Sequence, residues 1–224
     1  MNVYSENPLE RFLASKQDGG PELSWPFSNW GAANAWLVLL GPSPGKDDGG
    51  AKGTHTVRVG LPCPIQFNTY RNRNPRWRKL WEEPFGPHLR VGDENLGEYL
   101  TALMNLDGTN EPDETKLTNA SLVNGCDRVE RQLNQCRPKV IVALTESAFA
   151  VFRSHLGDRY MPSKLDGFEE PRRGNTGGTF QLTNAVHRTW LIRAPQHPSH
   201  PPLERCWLAY QAKIAHILRD CGLS

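Results

Sequence analysis

Two stretches of this chain are apolar without a break: Ala35–Leu40 (AWLVLL), stopped by Gly41-Pro42, and Val140–Leu144 (VIVAL), entered through Arg137-Pro138 and Lys139. Such runs show no polar face to water, yet fall well short of the ~18 apolar residues that a membrane span needs. Both therefore read as strands covered on each face, Ala35–Leu40 and Lys139–Leu144, as in a parallel sheet. Trp190–Ala194 is a third such strand, while Tyr99–Leu106 (YLTALMNL) fits a strand or a helix.

Helical signals alternate with these strands. Asn7 precedes Pro8 and can cap a short helix, PLERFLASK, with the proline where its missing N–H costs nothing. Ser121–Gln135 places Leu122, Cys126, Val129 and Leu133 near a 3.6-residue spacing, and Thr145–Leu156 has Thr145 as cap and Gly157 as stop. A last helix gathers Leu203, Cys206, Trp207, Tyr210, Ile214, Ile217 and Leu218 on one face, and Asn74–Glu83 suits another helix. The expected fold class is α/β: a three-layer αβα sandwich around a central, mostly parallel four-stranded sheet. At 224 residues the chain has the length of one domain, with the core spanning about 35–218.

The N-terminus, MNVYSENPLERF, lacks the layout of a signal peptide, so a cytoplasmic location is expected. The cysteines (Cys63, Cys126, Cys136, Cys206, Cys221) are odd in number, far apart and without a C-x-x-C pair, and read as reduced core thiols. Gly and Pro concentrate in Gly41–Pro64 and Pro162–Gly178, which read as long loops, and loops of that length in a compact domain are usually functional.

Net charge is only +2, but its distribution is uneven. Arg71–Lys79 (RNRNPRWRK) is basic without an acid, Val91–Thr115 is acidic without a base, and Pro171–Leu203 contains no Asp or Glu. Two basic segments, with Trp77, Trp81 and Trp190 among or beside them, suit a phosphate backbone. Taken singly, each also fits a solvated basic face.

In a parallel sheet, ligands bind beyond the carboxyl ends of the strands. That rule selects Gly41–Gly45, Asn105–Thr109, Thr145–Ser147 and Pro195–His200, and with them Ser43, Asn105, Glu146, His197, Ser199 and His200. GPSPG (Gly41–Gly45) matches the G-x-S-x-G elbow of serine hydrolases, but Pro44 lacks the N–H that an oxyanion hole takes from the residue after the serine. It is also one residue short of a phosphate loop and lacks the Ser or Thr that holds magnesium. His197 and His200 are flanked by Pro198 and Pro201, with no nearby Cys or carboxylate to complete a metal site.

GPSPG after an apolar strand, Asn105 after a second, the run CDRVERQLNQCRPKVIVAL, and HPS (His197–Ser199) after a last strand together resemble the uracil-DNA glycosylase superfamily, over roughly Ala35 to Leu218. The resemblance implies a monofunctional DNA glycosylase that flips a base from the stack and hydrolyses its N-glycosidic bond. It implies that Gly41, Pro42, Pro44 and Gly45 line the base pocket and that Asn105 reads the base edge. His197 would donate a hydrogen bond to the departing base. Phe67, with Tyr70 second, would stack on the base, and Leu203 would fill the gap in the duplex, assisted by Arg205. Ser199, His200, Arg76 and Arg78 are the expected DNA contacts.

Family forms of the first loop include G-x-N-P-G, G-E-x-P-G and G-x-D-P-Y. Ser43 stands in the Asn/Asp place and Pro42 in the Glu place, so Ser43 would orient the water, with Asp47 or Asp48 as a possible substitute. That departure leaves three readings open: a uracil-like substrate, a bulkier base such as hypoxanthine or a hypermodified cytosine of phage DNA removed in defence, and a silent nucleic-acid binder. DNA is the expected partner, with no membrane, no cofactor, no metal and no iron–sulfur cluster, and the expected state is a monomer.

Overall fold

The computed structural model describes residues 4–18, 22–26, 29–44, 53–59, 80, 82–108, 116–157, 177–181, 188–195 and 204–223. In chain order these form α1 (Pro8–Asp18), β1 (Glu22–Pro26), β2 (Trp30–Gly31), β3 (Leu37–Gly41), β4 (Thr54–Arg58), β5 (Arg90–Val91), β6 (Glu94–Asn95), α2 (Gly97–Leu100), β7 (Thr101–Asn105), α3 (Asn119–Cys136), β8 (Val140–Ala143), α4 (Glu146–Leu156), β9 (Gly177–Gln181), β10 (Arg188–Arg193) and α5 (Glu204–Asp220). No helix among the described residues is long and apolar enough to cross a membrane.

The fold is mixed α/β around a mostly parallel sheet of order β2-β7-β3-β8-β10-β9. The β7-β3, β3-β8 and β8-β10 pairs are parallel, and β2 and β9 pair antiparallel at the two edges. The sheet therefore has six strands rather than the expected four: five of four to six residues and the two-residue β2. The four expected strands form its parallel centre. The two additional ones escape a pattern search because β2 is too short for any periodicity and β9 (GGTFQ) opens on two glycines, which weaken a strand signal. A second correction concerns Gly41–Pro64, which is not loop throughout. Thr54–Arg58 pairs antiparallel with Glu22–Pro26 as a separate ribbon, where Trp25 and Val57 are buried.

Alternation along the central strands divides the core in two. Leu37, Leu39, Val140, Val142, Trp190 and Ile192 join Phe12 of α1 and Tyr210, Ile214, Ile217 and Leu218 of α5. Val38, Leu40, Ile141, Ala143 and Leu191 join Leu122, Cys126, Val129, Leu133 and Cys136 of α3 and Phe149, Phe152 and Leu156 of α4. Each strand is thus apolar on both sides because each side has its own helices to meet. Truncating a fully buried leucine in such a core, Leu133 for example, costs about 2–5 kcal/mol.

Local chemistry sets the helix ends. Leu9 N–H donates to Asn7 Oδ1 at 2.9 Å, Ser121 N–H to Thr118 Oγ1 at 3.1 Å and Ala148 N–H to Thr145 Oγ1 at 3.2 Å. Helix α3 stops at Arg137, which takes the left-handed conformation (φ 48°) ahead of Pro138. Tyr99–Leu106 divides into the helical turn α2 and the strand β7, so both local tendencies are used. Cys126, Cys136 and Cys221 are buried free thiols, while Cys206 is half-buried.

Candidate functional site

Strand β3 is the point about which the connections reverse: the chain leaves it for β7 on one side, then crosses to β8 on the other. Crevices at such positions, beyond the carboxyl ends, are where open α/β sheets bind ligands. Here β3 ends on Gly41, aligned with Asn105 of β7, and Leu40 is aligned with Ala143 of β8. Pairing continues past the strand ends. Leu106 N–H donates to the Gly41 carbonyl at 3.0 Å, Asp107 N–H to the Pro42 carbonyl at 2.7 Å, and Leu144 N–H to the Leu40 carbonyl at 2.9 Å. The start of the GPSP segment is therefore held by the sheet itself.

A side chain at position 41 would require Asn105 to shift. A Cβ there would lie 2.5 Å from Asn105 Oδ1 and 3.7 Å from Leu144 Cδ1, so the Asn105 carboxamide lies directly across the Gly41 backbone. Asn105 is 1% exposed, and its backbone is held from both sides. Its N–H donates to Asn29 Oδ1 at 2.9 Å, and Asn29 Nδ2 in turn donates to Gln132 Oε1 at 2.5 Å. Its carbonyl and that of Leu106 accept from Arg128 Nη2 at 2.8 and 3.0 Å. Burial lowers the Arg128 pKa from its usual value, with Asp107 pulling the other way. Helix α3 sits hard on this turn: a Cβ on Gly125 would fall 1.5 Å from the Leu106 carbonyl oxygen.

On the β8 side, Thr145 and Ser147 hydroxyls lie 3.0 Å apart at the start of α4, and Arg193 Nη2 is 3.4 Å from Glu146 Oε2. Both of those residues are partly open to solvent, so the pair is a weak tether between β10 and α4.

Of the residues singled out in the sequence, Gly41, Pro42, Ser43, Pro44 and Asn105 lie among the described residues, and Gly41 lies against Asn105. Gly41, Pro42 and Pro44 are buried and Ser43 is half-buried. Gly45, Asp47, Asp48, Phe67, Tyr70, Arg76, Arg78, His197, Ser199, His200 and Leu203 lie outside the described residues, as do most of the two basic segments. Arg205 is the second residue of α5, and its side chain is also outside them. Asn29, Arg128 and Gln132 carry no local signal. Their partners are 76, 23 and 103 positions away, and only the glycine at 125, inside an otherwise good helix, hints at a close backbone approach.

The bonds to Asn29 and Arg128 hold the Asn105 main chain, and its carboxamide carries donors and an acceptor in one plane. Comparison with known proteins finds no family model and no curated relative that matches the chain.

Proposed function

We propose that the chain is a monofunctional DNA glycosylase, a divergent member of the uracil-DNA glycosylase superfamily built as a three-layer αβα sandwich. The observation that carries this reading is the Asn105 carboxamide laid across Gly41 at the reversal point of the sheet, with its backbone clamped by Asn29 and Arg128. A base-reading amide must be preorganised, because a buried amide that mispairs loses the whole discrimination of an unsatisfied polar group.

In the reaction, the C1′–N bond breaks with its electron pair leaving on the base, and the sugar passes through an oxocarbenium-like state. Asn105 binds the edge of the extruded base. His197 donates a hydrogen bond to the developing negative charge on it, a contribution typically worth ~3–4 kcal/mol. Ser43 orients the water that adds to C1′ and yields an abasic site. A serine is a weak base, so most of the acceleration comes from stabilising the leaving group. Leu203 fills the vacated stack, and Arg76, Arg78 and Arg205 meet phosphates.

Pro42 and Ser43 also support a bulkier base, hypoxanthine or a hypermodified phage cytosine. The same two residues favour a second reading, a binder without catalysis, because neither supplies an amide or a carboxylate to activate water. Strand cleavage after alkali separates these, using oligonucleotides with uracil, hypoxanthine, mismatched thymine, 5-hydroxymethylcytosine and its glucosylated form. Cleavage at one base, lost in His197→Ala and Asn105→Ala, is the expected result. Salt-sensitive DNA binding with no cleavage of any substrate would replace the enzyme by the binder.

A further inference from the structure

Where α3 meets α4, three side chains converge: Asp127, Glu130 and His155 place one ligand atom each within 4.8 Å of one another, the one such group among the described residues. His155 Nε2 lies 2.7 Å from Glu130 Oε2 and 3.5 Å from Asp127 Oδ1. Atoms this close share a centre at most about 2.8 Å from each, which small rotamer changes bring to the ~2.0–2.2 Å of zinc–nitrogen and zinc–oxygen bonds.

The local structure accounts for the convergence. Asp127 and Glu130 are three apart on one helix and so share a face. His155 comes from the last turn of α4, its ring stacked on Phe152 at 6.2 Å and 20°, which sets the ring plane. The Glu130 and His155 side chains are only 10% and 13% exposed, whereas Asp127 is 74% exposed at the rim. Two carboxylate oxygens and one imidazole nitrogen make a donor set of the kind that holds a divalent transition-metal ion.

We propose that Asp127, Glu130 and His155 bind one divalent transition-metal ion that ties α3 to α4. Two oxygens and an imidazole nitrogen suit Zn²⁺, with the open position at the Asp127 rim left to water. The ion would stiffen the same helix whose Gly125 and Arg128 hold the Asn105 turn. The site stands on its own geometry, independent of any glycosylase activity.

The test is calorimetric titration of Zn²⁺ into the full chain after chelator treatment, in wild type, Asp127→Asn and His155→Gln. One equivalent should bind, with affinity reduced by about tenfold or more in each variant. At a hundredfold excess over Kd the wild-type Tm should rise by roughly 5–10 °C. Co²⁺ in place of zinc should give ligand-field bands without the charge-transfer absorption of a thiolate. Asp127 is exposed, so its variant keeps the fold, which far-UV circular dichroism verifies. Absence of saturable binding in the wild type would leave only a His–carboxylate ion pair and overturn the proposal. Equal affinity in all three proteins, or a thiolate band, would overturn it in favour of other ligands.

Discussion

Each end of the parallel strands is secured by an arginine, buried at one end and half-buried at the other, and the two do different things. At the amino ends, Arg11 is 1% exposed and gives all three guanidinium nitrogens to main-chain carbonyls: Ser5 from Nε, Asn34 and Ala35 from Nη1, Tyr4 and Arg137 from Nη2. Burial lowers its pKa to about 10. At the carboxyl ends, Arg128 uses Nη2 for the carbonyls of Asn105 and Leu106, while its buried Nε has no hydrogen-bond partner among the described residues. Arg11 joins the N-terminal segment, the entry to β3 and the exit of α3, where Arg137 sits in a left-handed conformation under the Tyr4 ring at 4.9 Å. Arg128 joins a helix to a single turn. One end is built for cohesion, the other for holding one turn of main chain.

The largest expected effect tests the cohesive end. Arg11→Leu strands several buried carbonyls, so the free energy of unfolding in urea should fall by about 4 kcal/mol. A loss below about 1 kcal/mol would break the comparison. At the other end, Gly41→Ala drives a methyl into Asn105 Oδ1, and a displacement of that amide by about 1 Å should lower the proposed base excision roughly a hundredfold. The Asn105 side-chain amide resonances should move as well, and unmoved resonances would remove the basis for the proposed reader.

Alkaline titration sharpens the contrast further. Burial pushes Cys136 and Cys221 up to about 12, with Arg11 opposing at both thiols and Lys139 at Cys221. A raised acid keeps its proton in the folded state while the unfolded chain, with a thiol near 9, loses it, so stability falls as pH rises from about 9 towards 12. At pH 10, Cys136 should account for about 1 kcal/mol of that loss, and Cys136→Ala should flatten the urea-unfolding profile between pH 8 and 10 by that amount. Least disruptive is Thr145→Ala, which removes the α4 cap and should cost about 1 kcal/mol by thermal unfolding, with the Asn105 environment unchanged.

The parallel strands were legible because their residues are apolar on both sides, a pattern that needs no partner to be recognised. Gly41 and Asn105 were legible for a related reason: each ends such a strand, and the ends of parallel strands are where ligands bind. Asn29, Arg128 and Gln132 were not, since each is an ordinary polar residue until its distant partner is known. The Thr54–Arg58 strand escaped for the opposite reason, lying among glycines that locally favour a turn while its pairing with Glu22–Pro26 overrides them.

By itself, then, the sequence determined the alternation of strand and helix, the helix caps and the ends of the central strands at Gly41 and Asn105, all properties of neighbours along the chain. Tertiary structure alone decided the two edge strands, the pairing of Gly41 with Asn105, the clamps around that asparagine and the meeting of His155 with Asp127 and Glu130. Those depend on contacts between residues tens of positions apart, whose energies appear only once the intervening chain has been closed and packed.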